Sequence, residues 1–337
     1  MRFRLIVILL CLAGCSSRDP DVVIRPIPGT EQVALLSNCI TVSTDERWLV
    51  FTEWKLPKSR VFEDLPADEY NYRLVSLDME TGERTEHTVE SIPPKALGFA
   101  PSDAGWKHQV GLEMIEKRFR PAGWRGERFY FRPYRFNGRY ETNLVLVPGR
   151  PGIQVAEKPE EPGTCSDCFP VSTSRFRGHS WELTPRWGQV SNPVSVAVRD
   201  GAIRSIYYVR KPDHGRWDHY RSVYRLRGEG PQEALVELPA KKHVMISIVG
   251  VRVSPDERFL AYHVHSKKQA FLSGPREDIY ILDLDSREEK RIGRYSSAGN
   301  LMWSRDGKRL YFAGSDSADK AAVYVVDVAE TFGHLEN

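Results

Sequence analysis

The chain has 337 residues, of which 48 are Lys or Arg and 45 are Asp or Glu, giving a net charge of +3. With charge this nearly balanced and no block of one sign, polyanion binding has no support and no nucleic-acid partner is expected. Hydrophobic residues make up 41% and aromatics 11%, enough for a sizeable core, and beyond the N-terminus no apolar run reaches the roughly 18 residues of a spanning helix.

Arg2 and Arg4 precede an apolar run from Leu5 to Leu12, which is too short to cross a bilayer. Leu12-Ala13-Gly14-Cys15 follows. This order of charge, apolar run, small residues and cysteine resembles the signal peptide and lipobox of bacterial lipoproteins. The resemblance implies cleavage before Cys15 and a diacylglycerol on its thiol. Acyl chains such as palmitate bury methylenes at about 0.8 kcal/mol each, so several of them anchor stably. Ser16 and Ser17 imply sorting to the outer membrane, facing the periplasm. A plain secretory signal with an incidental cysteine, or a short N-terminal anchor, is the alternative. The expected organisation is a signal peptide over 1–14, a lipidated N-terminus and linker over 15–36, a repeat domain over 37–330 and a tail over 331–337. Part of 22–36, or V-V-I-R-P-I alone, is a candidate strand to close the repeat beside 323–328.

From residue 40 the chain reads as short strands separated by turns, which predicts an all-β fold. The first unit takes Ile40 to Val42, a turn at Asp45-Glu46, Trp48 to Phe51 and Tyr72 to Asp78, and closes its hairpin at Glu80-Thr81-Gly82-Glu83. A weaker unit starts at Leu97 to Ala100 and continues through Arg128 to Phe131 and Asn143 to Val147. The stretch 149–192 is the least legible, with Ser180 to Leu183 as one strand candidate, and has the length of one degenerate unit. Another weak unit takes Val194 to Val198, Ile206 to Val209 and Val223 to Leu226. The next is clear: Val249 to Val253, a turn at Ser254-Pro255-Asp256-Glu257, Phe259 to Val264, Asp278 to Leu284, and a last strand around Lys290-Arg291-Ile292. The final unit takes Leu301 to Trp303, a turn at Arg305-Asp306-Gly307-Lys308, Leu310 to Ala313 and Val323 to Val328.

Three phrases carry this periodicity: V-S-T-D-E-R-W-L-V-F at 42–51, V-S-P-D-E-R-F-L-A-Y at 253–262 and W-S-R-D-G-K-R-L-Y-F at 303–312. A phrase recurring at intervals of about 50 residues marks a stacked repeat. Asp45, Asp256 and Asp306 are read as structural, since a turn aspartate can accept from nearby backbone N–H groups. With Asp278-Ile279-Tyr280-Ile281-Leu282-Asp283, the pattern resembles the WD40-like β-propeller repeat of the TolB-like superfamily. That resemblance implies a propeller, with six four-stranded blades as the expected count. It covers the C-terminal part well, residues 37–86 fairly and 87–245 weakly.

Motifs with chemistry are few. The chain contains no G-x-S-x-G elbow, H-E-x-x-H, P-loop or dinucleotide fingerprint, and the remainder after 328 is expected to leave no room for a hydrolase domain. Cys165 and Cys168 form a small-loop disulfide candidate; a redox pair and half of a zinc site stay open. Cys39 reads as a buried free thiol. His263 and His265 alternate along one strand and share a face, so they could share a metal, or they could be ordinary strand-end histidines. Segment 210–221 holds His214, Arg216, Trp217, His219, Tyr220 and Arg221, either an interaction loop or a solvated one. Residues 117–140 interleave aromatics with arginines in the same way.

The expected function is an envelope lipoprotein whose propeller is a protein-interaction platform, without cofactor and without enzymatic activity. Its partners would be the membrane, through the lipid, and an envelope protein. The alternative is a propeller enzyme or sensor that binds a small ligand or glycan in the central channel, with a metal at His263 and His265. Some relatives implied by the resemblance, which cleave acidic sugars, use histidines and a metal on the propeller face; their sites do not map residue by residue onto this chain, because its middle units do not align.

Overall fold

In the computed structural model the described residues are 22–33, 40–55, 71–87, 120–132, 143–156, 190–199, 202–210, 220–228, 230–239, 244–268, 276–317 and 320–333. They begin with strand β1 (Ile24–Pro26). The first sheet comprises β2 (Ile40–Val42), β3 (Trp48–Lys55), β4 (Asn71–Asp78) and β5 (Arg84–His87). The second holds β6 (Arg120–Arg125), β7 (Arg128–Arg132), β8 (Asn143–Leu146) and β9 (Gln154–Ala156). The third holds β10 (Val190–Arg199), β11 (Ala202–Arg210), β12 (Ser222–Arg227) and β13 (Glu233–Glu237). The fourth holds β14 (Val244–Val253), β15 (Phe259–Lys268), β16 (Arg276–Asp283) and β17 (Glu289–Tyr295). The fifth holds β18 (Ser297–Trp303), β19 (Arg309–Ser317) and β20 (Lys320–Asp327), with β1 as its fourth strand.

Four of these sheets are four-stranded antiparallel meanders, and the fifth is a three-stranded meander completed by β1; the first strands of successive sheets lie side by side, β10 beside β14, β14 beside β18 and β18 beside β2. The architecture is all-β and propeller-like. Its cores lie between consecutive sheets, because strand side chains alternate between two faces. On β15, Leu260, Tyr262 and Val264 pack toward the third sheet, while Phe259 and Ala261 pack toward the fifth. On β19, Leu310 and Phe312 face the fourth sheet and Tyr311 and Ala313 face the first.

The repeated phrase makes the same turn three times. Ser43 Oγ donates to Asp45 Oδ1 (2.5 Å) and accepts from Trp48 N (2.8 Å), while Asp45 Oδ1 also accepts from Arg47 N (3.2 Å). Ser254 and Asp256 do the same for Arg258 N and Phe259 N, and Ser304 and Asp306 for Lys308 N and Arg309 N. The hydroxyl supplies both a donor and an acceptor, so one Ser-Asp pair occupies the backbone donors that the turn leaves over. The Ser43 hydroxyl, chiefly, holds the Asp45 carboxyl below the usual carboxylate range against the opposing effect of burial.

The first and fifth sheets are joined by the N-terminal segment. β1 runs antiparallel to β20, with Ile24 opposite Val326 and Pro26 opposite Tyr324. Ile27 N then donates to Val323 O (2.8 Å), and the buried Thr30 hydroxyl donates to Ile27 O (2.7 Å) and accepts from Val323 N (2.9 Å). Gln32 bridges to Ala321 in the fifth sheet and Val33 to Glu53 in the first. Helix α1 (Val328–Phe332) follows β20; Asp327 caps its first turn by accepting from Ala329 N and Glu330 N, and Phe332 lies against Phe259.

Several elements differ from the sequence reading. The strand beside β7 is Arg120–Arg125, with a turn at Gly126 and Glu127, whereas the lead-in expected at 97–100 lies outside the described residues. Residues 154–156, assigned to the illegible stretch 149–192, pair with β8 as the second sheet's outer strand, and the rest of that stretch up to 189 lies outside the described residues. Val328, expected to end a strand, starts the helix because the Asp327 side chain takes up the next two amides.

Candidate functional site at the loop end

Antiparallel meanders separate their connections into two groups. The turns between first and second strands and between third and fourth strands, such as 43–47, 79–83, 254–258, 284–288 and 304–308, gather at one end of the sheets, the turn end. Connections between second and third strands and between sheets leave from the opposite, loop end. They include 56–70, 88–119, 133–142, 157–189, 211–219, 240–243 and 269–275. The long segments therefore all depart from one side. Loops on a rigid β scaffold are where binding residues concentrate.

In the loop-end half of the fourth sheet, β15 continues its Phe259-Ala261 stripe with His263 and His265. β16 places Glu277 directly opposite His265. The two imidazoles meet one carboxylate: His263 Nε2 is 2.6 Å from Glu277 Oε2 and His265 Nδ1 is 3.2 Å from Oε1. Ala298 N, from β18 of the next sheet, donates to Oε2 at 2.8 Å. Gly250, opposite His263, leaves the room this ring occupies; a Cβ there would lie 3.3 Å from the histidine's own Cβ. His263 is buried and His265 is a third exposed. Burial pushes the Glu277 carboxyl upward, but the His263 contact, with help from Ala298 N and His265, leaves it below the ordinary carboxylate value.

The sequence placed His263 and His265 on one face, and they share that face here. It missed Glu277, which lies between them. The signal lay in the register of the hairpin, which turns the carboxylate opposite His265. Among the described residues no group of three or more His, Cys, Asp or Glu side chains is arranged to hold a metal ion.

Of the interaction-loop candidates, Tyr220 and Arg221 are described and half-buried. Tyr220 packs against the core between the third and fourth sheets, and its carbonyl accepts from Ile248 N (2.7 Å). His214, Arg216, Trp217 and His219 lie outside the described residues, as do Cys15, Cys39, Cys165 and Cys168. In 117–140, Trp124 Nε1 donates to Thr41 Oγ1 (2.9 Å), joining the first and second sheets, and Phe129 and Phe131 are buried.

At the turn end, a cleft of about 540 Å³ opens where the first and fifth sheets meet, lined in part by Val23, Arg25, Asp45, Glu46, Arg47 and Tyr311. Its guanidinium groups are paired: Arg47 with Asp78 (2.8 Å), Arg309 with Glu46 (2.7 Å) and Arg25 with Glu330 (3.0 Å).

No protein-family model and no curated protein matches the chain. Among solved structures, a member of the DUF4221 family from Bacteroides vulgatus is similar at 9% identity and a TM-score of 0.37, over 90% of this chain and 95% of that one. An endo-arabinase from Bacteroides thetaiotaomicron is similar at 9% identity and a TM-score of 0.36, with the same coverage. A hydrazine synthase from Kuenenia stuttgartiensis is similar at 12% identity and a TM-score of 0.25, over 85% of this chain and 56% of that one. At such scores the reading of the fold rests on the sheets themselves.

Proposed function

We propose that the chain is a cell-envelope lipoprotein, anchored through Cys15 in the outer membrane, whose TolB-like propeller presents its loop end to a periplasmic protein partner. The ring would have six blades, with 157–189 contributing to the remaining one. The observation that carries the reading is directional: the turn end is closed by short, internally bonded turns, while the long connections leave from the loop end. The turn end is thereby fixed by its own bonds, and the long segments that an interaction platform needs all start from the opposite end.

The test is crosslinking in intact cells with two variants. One replaces Arg216 and Trp217 by Ala at the loop end, and the other replaces Glu80 and Ser286 by Ala at the turn end. The reading expects an envelope protein that crosslinks to the wild type and the turn-end variant and is lost from the loop-end variant. Loss from the turn-end variant alone, or a pattern indifferent to both, would overturn it.

The His263–Glu277–His265 cluster favours a second reading, a sensor that binds a small ligand beside the channel. A ligand-induced rise in melting temperature that disappears in Glu277→Gln would move the function there.

A further inference from the structure

The direction of β1 fixes the end of the molecule at which the N-terminal segment arrives. β20 runs from the loop end toward the turn end, and β1 is antiparallel to it, so Ile24 lies at the turn end and Pro26 above it. Val22 is buried in the core between the fourth and fifth sheets, and Val23 lines the turn-end cleft. Only residues 16–21 separate Val22 from Cys15. Even fully extended, that stretch reaches about 25 Å. An eight-residue strand such as β20 is ~27 Å long, so the loop end stands at least that far beyond the point of attachment. A loop-end-down orientation would require the tether to cross the whole height of the sheets and the loops as well.

We infer that the turn end faces the bilayer that holds the anchor and that the loop end is presented away from it, to a partner arriving from the aqueous side. The inference rests on the lipid anchor of the proposed function. It narrows the partner's chemistry: the partner offers a water-exposed surface and is not embedded beside the anchor in the same leaflet.

The full lipidated chain, reconstituted into phosphatidylethanolamine–phosphatidylglycerol vesicles that carry an acceptor-labelled lipid, tests it by energy transfer. A fluorescent unnatural amino acid is placed at Glu80 on the turn end or at Lys267 on the loop end, both exposed, and thermal melts confirm that each labelled protein folds. Transfer is expected to be stronger from position 80. Equal or reversed transfer overturns the inference. Lengthening the tether with a Gly-Ser insert after Ser17 should erase the difference; a difference that survives shows that something other than tether length sets the orientation, and overturns it too. Cys15→Ser separates the two levels: vesicle binding unchanged by that substitution refutes the anchor, whereas anchored protein with equal transfer refutes only the orientation.

Discussion

Glu46 Oε2 accepts a hydrogen bond from Tyr311 Oη at 2.7 Å across 265 positions of sequence, and one from Arg309 at the same distance. It makes the turn of the first sheet hold the second strand of the fifth. Glu257 repeats the device between the fourth and third sheets, accepting from Ser205 Oγ (2.6 Å) and Tyr207 Oη (3.1 Å). The third turn carries Gly307 instead. There the preceding sheet offers Ala261 where the others offer tyrosine, and a Cβ on residue 307 would sit 3.2 Å from Asp256 Oδ1.

Both glutamates hold a left-handed backbone, with φ of +58° and +60°, a conformation that costs a non-glycine residue about 1–2 kcal/mol. They keep it because the side chain gains a charge-assisted partner in the neighbouring sheet. Glu46→Ala loses that partner and keeps the strain, for an expected cost of about 1.5–3 kcal/mol. Glu46→Gly loses the partner but relieves the strain, so it should be about 1 kcal/mol more stable than Glu46→Ala. Urea unfolding of the two variants checks this; an alanine variant as stable as the glycine one contradicts it.

Glu277 predicts a response to acid. Its carboxyl titrates below the unfolded value, so it contributes stability that is fully present above about pH 4.3 and is lost as pH falls through the lowered folded value. Glu277→Gln should therefore be less stable than the wild type at pH 7, with the gap closing on acidification toward pH 3. Urea midpoints of both proteins across that range check the sign, and a gap that widens in acid would contradict it.

Thr30 is the polar centre of the N-terminal segment, fully buried with both hydrogen bonds made to main-chain groups. Thr30→Val keeps the shape and leaves the Val323 N–H and the Ile27 carbonyl without that hydroxyl, for an expected loss of about 1–3 kcal/mol. Deleting residues 21–30 removes β1 with it and should lower the melting temperature sharply. An unchanged melting curve in the deletion would show that β20 does not need this partner.

The parts of the fold legible in sequence are those whose physics is local. Ser43, Asp45 and Trp48 close their turn within six positions, so the phrase is visible wherever it occurs. Alternation on β15 likewise put His263 beside His265. The inter-sheet partners were not legible: Glu46 gives no sign of Tyr311, because that pairing exists only once the first and fifth sheets meet. Glu277 needed the register of a hairpin whose connection spans 269–275. Arg120–Arg125 escaped notice because Pro121 and Gly123 look like breakers, and the strand accommodates them at a shift of register between those two positions.

The strand that completes the fifth sheet is the first described element of the chain, and its partner is the last strand. Among the described strands β1 pairs with β20 alone, some 300 residues later in the sequence. The closure of so long a loop is entropically costly and slow relative to the local hairpins, which can form as each sheet emerges. Folding of this protein should therefore end at the junction of its N-terminal and C-terminal segments, and a chain interrupted before β20 leaves β1 without that partner.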